Sequence, residues 1–74
     1  MALLFREVSQ GRVKVSLRSV GDVDVAAFAK PFGGGGHTKA AGLALPGSLA
    51  EVQSTVLTAA RAYLAQDGRG GNGR

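Results

Sequence analysis

Four consecutive glycines, Gly33–Gly36, lie near the middle of a 74-residue chain, with core-like segments on both sides. Glycine loses more backbone freedom on folding than any other residue, at about 0.5–1 kcal/mol relative to alanine in regular structure. A domain of this size has only a few kcal/mol of stability to spare. No ordinary helix or strand is expected to persist through the run. The expected compensation is a backbone shape that side chains would forbid.

Little else is available to hold the chain together. With no cysteine there is no disulfide, no thiolate nucleophile and no thiolate metal ligand. One histidine and five carboxylates argue against a complete metal site. The length fits one small domain. A net charge of +4 and a pI near 10.4 favour phosphate-bearing partners, although basic charge alone is usually a solvated surface. No apolar run is long enough to span a bilayer and the first residues do not form a signal peptide, so a cytoplasmic setting without membrane contact is expected.

Hydrophobic periodicity orders the elements. Ala2 to Val8 is mostly apolar and reads as a strand. Arg12 to Arg18 alternates, with Val13, Val15 and Leu17 on one face and Arg12, Lys14, Ser16 and Arg18 on the other. Ser9-Gln10-Gly11 reads as a tight turn between them. Asp24 is the expected N-cap of a short helix carrying Val25, Phe28, Ala29 and Phe32, with Val23 and Phe28 at staple positions and Pro31 near its end. Ala41 to Leu45 makes a third strand, ended by Pro46-Gly47. Ser48-Leu49-Ala50-Glu51 is a capping box opening a helix to about Gln66, with an apolar stripe through Leu49, Val52, Val56, Ala59, Ala60, Tyr63 and Leu64. The order strand-strand-helix-strand-helix predicts an α/β domain, with a crossover, a small mixed sheet and two helices packed on it. It spans residues 1–66, and the glycine-rich tail 67–74 is expected to be disordered.

The glycine run admits two readings. Glycine-rich loops can aim several N–H groups at one anion, and a helical turn over Thr38 to Ala41 would add its own amides. Glycine runs are also common as flexible linkers. A P-loop requires Lys followed by Ser or Thr after the glycines, whereas the order here is Gly36-His37-Thr38-Lys39. The dinucleotide fingerprint fails as well, since the run follows a helix. On the residues alone, linker and anion loop stand level.

Gly34-Gly35-Gly36-His37, two variable residues, then Ala40-Ala41-Gly42 resembles the signature of the DHHA1 domain, the C-terminal half of DHH-family phosphoesterases. Val15-Ser16-Leu17-Arg18-Ser19 and Val23-Asp24-Val25-Ala26 resemble the same family at the expected spacing. The resemblance covers Leu3 to Leu64 and is closest to the nanoRNase branch, which acts on short oligoribonucleotides and 3′,5′-nucleoside bisphosphates. RecJ-type exonucleases have a shorter glycine-histidine motif. Cyclic dinucleotide phosphodiesterases tend to lack the glycine matched by Gly42, and alanyl-tRNA synthetases lack a counterpart of His37.

The resemblance implies that Gly34, Gly35 and Gly36 donate backbone N–H bonds to a substrate phosphate and that His37 bonds the phosphate or a base edge. Arg18, beside Ser16, is the expected charge-assisted partner, and Lys39 divides between phosphate steering and solvent. Thr38 caps the turn at most. Asp22 and Asp24 precede a helix and read as capping groups, and Phe28, Phe32 and Tyr63 read as core. Arg69-Gly70-Gly71 only faintly echoes RNA-binding segments. The family's manganese ligands belong to a separate DHH domain, so this chain is expected to carry no cofactor and no catalytic residue. Relative to the family, the chain reads as a piece lacking an N-terminal strand and helix. Implied partners are short RNA or a nucleotide phosphate and a DHH catalytic domain, with self-association through the strand Ala2 to Val8. The competing functions are a single-strand- or tRNA-binding appendage and an oligomerisation domain without ligand.

Overall fold

A computed structural model of the chain describes residues 1–9 and 11–72, with side chains through residue 66. Strands β1 (Ala2–Ser9) and β2 (Arg12–Arg18) precede helix α1 (Val25–Ala29), which runs into a 3-10 turn at Lys30–Phe32. Strands β3 (Gly35–Gly36) and β4 (Ala40–Pro46) follow, and then helix α2 (Leu49–Asn72). The α/β architecture with two helices is as expected, and the sheet order is β1-β2-β4-β3.

Every pairing in that sheet is antiparallel, so the sheet is not mixed in its neighbour contacts. The reason lies in the glycine run. Gly35–Gly36 forms a short edge strand where none was expected, and the chain reverses once more before entering β4. The crossover through α1 therefore links β2 to β3, which run in the same direction with β4 inserted between them. The helical turn expected at Thr38–Ala41 is absent. His37 and Ala40 instead exchange both backbone bonds (2.7 and 3.1 Å), which makes a two-residue hairpin tip of Thr38 and Lys39.

The caps form as their residue types dictate. The Asp24 carboxylate accepts from Ala27 N at 3.0 Å. Ser48 Oγ accepts from Glu51 N at 3.1 Å, and Glu51 Oε1 accepts from Ser48 N at 2.9 Å, closing the capping box reciprocally. The sheet region around Gly11 is tied to the start of α2 by Gly47 N donating to Gly11 O at 2.8 Å. The backbone of α2 runs past the expected end near Gln66 to Asn72, through residues where a disordered tail was expected, although each glycine there costs about 1 kcal/mol. The side chains of 67–72 and residues 73–74 lie outside the described residues.

The core forms on one side of the sheet only. Val13, Val15 and Leu17 of β2 and Leu43 of β4 meet Val25, Phe28 and Ala29 of α1 and Val52, Val56 and Ala60 of α2, all buried. Helix α1 packs on β3 and β4, and α2 packs on β1 and β2. Phe28 stacks tilted against Phe32 and Tyr63 (centroids 5.6 and 5.2 Å), and Tyr63 Oη donates to Asp24 O at 2.8 Å. Phe28 is buried in the core, and Phe32 and Tyr63, half-buried, pack against it. Burying each large apolar side chain contributes about 1.5–3 kcal/mol. Among the described residues no helix lies on the opposite face of the sheet, and the polar alternation of β2 points there.

Candidate functional site

The antiparallel register fixes which residues share that open face. Ser16 lies opposite Leu4 and Gly42, and Gly42 lies opposite Gly35. Arg18 lies between Ala2 and Ala40, and Lys14 between Arg6 and Ala44. Directly paired residues point to the same side of a sheet. One row therefore runs Leu4-Ser16-Gly42-Gly35, with Lys14 on one flank and Arg18 on the other. A groove of about 390 Å³ follows this row, lined by Lys14, Ser16, Arg18, Gly35, Gly42 and Ala40 among others. Among the described residues, neither Lys14 nor Arg18 is held by a hydrogen bond or an ion pair.

The glycines of the run have different duties. At Gly34 an added Cβ would collide with Gly42 O and lie 2.8 Å from Leu43 Cβ. Gly36 has φ 144°, and its Cβ would be 2.7 Å from Ala40 O and from Ala41 Cα. Both are required by the close approach of β3 to β4. At Gly35 a Cβ would meet nothing within 4 Å, and at Gly42 only Val15 O at 3.5 Å, an ordinary contact. The fold thus does not require the two glycines that floor the groove. Their lack of side chains keeps the floor low.

The expected amide cradle is corrected by the backbone bonds. Gly34 N donates to Ala29 O at 3.0 Å and Gly33 N to Lys30 O at 2.9 Å, so both amides terminate the preceding helical turns. His37 N is committed to Ala40 O. With His37 and Ala40 as a bonded pair, alternation makes Gly35 and Gly42 the next bonded pair and turns Gly36 N–H away from β4. The run is a pinned edge strand, neither a linker nor a nest of converging donors.

The side chains divide similarly. Ser16 and Arg18 line the groove. His37 falls by register in the row of Arg18 and Ala40, at the hairpin rim, and does not line the groove. Lys39 Nζ donates to Gly21 O at 2.6 Å, and Lys39 O accepts from Ser19 N at 2.9 Å. Lys39 therefore fastens the hairpin tip to the loop after β2 and is not a groove residue. Thr38 contributes its carbonyl, which accepts from Val25 N at the start of α1 (3.0 Å). Sequence reasoning passed over Lys14 and left Gly42 as a family marker only. The signal was present in the β2 alternation, which puts Lys14 beside Ser16.

The DHHA1 domain profile matches residues 1–66. The chain belongs to the DHHA1 family. A search of curated proteins finds no match. The DHHA1 domain is an accessory module of DHH-family phosphoesterases, and in this one two of the three motifs lie in the sheet and the third opens α1. Val15–Ser19 supplies the central strand, Val23–Ala26 caps and starts α1, and the glycine-histidine segment makes the β3–β4 hairpin beside it. Among the described residues no group of three or more His, Cys, Asp or Glu side chains lies together. No described helix is long and apolar enough to cross a membrane.

Proposed function

We propose that this DHHA1 domain holds a phosphate of a short oligoribonucleotide or a 3′,5′-nucleoside bisphosphate in the groove of its open face and presents it to a DHH catalytic domain. The groove supports this reading by its composition: a floor of Gly35 and Gly42 that the fold does not require, between two cations whose side chains have no partner among the described residues. Arg18 donates charge-assisted bonds to the phosphate, Ser16 adds a hydroxyl, and Lys14 adds charge from the other flank. His37 at the rim meets the part of the nucleotide that projects past Arg18. The domain binds and orients; the metal-dependent hydrolysis that the family performs would belong to the DHH half.

Calorimetric titration with adenosine 3′,5′-bisphosphate tests the assignment. Arg18→Ala should weaken binding by about 1.5 kcal/mol, roughly tenfold. Lys39→Ala, which removes a cation outside the groove, should leave affinity within about twofold while lowering the melting temperature. Equal losses from the two variants would show that only net charge matters and would remove the groove from the reading.

A further inference from the structure

The positive charge of the open face is not confined to the groove. At the face positions of β2 stand Arg12, Lys14, Ser16 and Arg18, and Arg6 of β1 lies directly opposite Lys14. Every charged residue that the register puts on this face is a cation. The carboxylates with described side chains lie elsewhere. Glu7 pairs with the buried Val13 on the helix side, Asp22 and Asp24 precede α1, and Glu51 caps α2. The residues between the cations are short: Ala2, Ala40, Gly42 and Ala44, with Leu4 exposed at 67 %.

Alternate residues of a strand are about 6.4–6.8 Å apart on one face. That interval is of the order of the through-space step between successive phosphates along one nucleic-acid strand, and a single row of cations along β2 engages one strand only. We infer that Lys14 with Arg6, and then Arg12, are second and third phosphate stations that continue from the Arg18–Ser16 groove, so that the face holds an extended single-stranded oligonucleotide along β2. This inference rests on the proposed phosphate groove as its first station. The ladder ends where β2 ends, at Arg12, so the track accommodates three phosphates and gains nothing from longer chains. Leu4 and the alanines leave apolar surface against which a base can lie flat. With no aromatic residue at these face positions, contact with bases is expected to be weak and tolerant of sequence.

Fluorescence titration of the whole chain with 5′-phosphorylated oligoadenylates of one to five nucleotides, beside adenosine 3′,5′-bisphosphate, reads the stations directly. Affinity should rise roughly tenfold from monomer to trimer and then level off. Arg12→Gln, outside the groove, should flatten the series beyond the dimer while leaving bisphosphate affinity within twofold. Its salt slope for the trimer should fall by about 0.7, the share of one lost phosphate contact. Arg6→Gln, on the neighbouring strand, should give a partial loss at the dimer and trimer, and circular dichroism confirms that each variant is folded. A flat wild-type series with the bisphosphate bound would overturn the stations and leave the groove standing, as would equal competition by polyglutamate. Absence of bisphosphate binding would overturn the groove itself.

Discussion

A methyl group added at Gly36 would press to 2.7 Å on the backbone of Ala40 and Ala41, whereas one added at Gly35 would meet nothing within 4 Å. These adjacent residues therefore separate what the fold needs from what a ligand needs. Gly36→Ala should cost about 1–3 kcal/mol from its backbone conformation alone, and more from the collision. Gly35→Ala should leave thermal stability unchanged or slightly raised and should weaken nucleotide binding, because its Cβ enters the groove. Melting curves and calorimetry on the two variants give the comparison. A Gly35→Ala protein that binds as tightly as the wild type would mean the floor is not used. The placement of Ser16 and Arg18 on the open face was legible from the alternation of β2. The commitment of the Gly33 and Gly34 amides to the turns before them was not, because those bonds depend on how α1 ends. Lys39 was ambiguous for a similar reason: its partner, Gly21 O, is 18 residues away in sequence.

Helix α2 begins at a reciprocal pair of side-chain bonds between Ser48 and Glu51. The backbone N–H of Ser48 and its hydroxyl hold the Glu51 carboxyl below its ordinary value. A carboxyl with a lowered folded pKa contributes stability above its unfolded pKa and loses it as pH falls through the folded value. The protection of the Ser48 amide, its exchange relative to the intrinsic rate at the same pH, should therefore fall once the solution is acidified below the usual glutamate range, while Glu51→Gln should abolish that pH dependence. NMR hydrogen exchange at Ser48 from pH 6 to pH 3 is the check, and an unchanged profile in Glu51→Gln would contradict it. Separately, Ser48→Ala should cost about 1 kcal/mol. Boxes, caps and stripes of this kind are local in sequence, which is why β1, β2, β4 and both helices could be read from it. Strand β3 could not. Glycine carries no hydrophobic period, and a two-residue edge strand is visible only through its partner β4. Missing it also turned an antiparallel sheet into an expected mixed one.

At the scale of the whole molecule, one face of the sheet is covered by α1 and α2, and the other carries Arg6, Lys14, Ser16 and Arg18. The sheet also has a free edge at β1, eight residues long, with Leu4 and Val8 exposed at 67 % and 47 %. Free edges of that length invite pairing with a second strand. Sedimentation should show concentration-dependent self-association that Leu4→Lys suppresses, and a monomer at every concentration would exclude that role for the edge. The account as a whole depends on which face a phosphate chooses. Chemical-shift mapping of the chain with adenosine 3′,5′-bisphosphate tests this most directly. The account predicts perturbations centred on Ser16, Arg18, Gly35 and Gly42, with the amides of α2 unmoved. Shifts spread evenly over Lys30, Arg61 and the other cations, or gathered on the helical face, would contradict it.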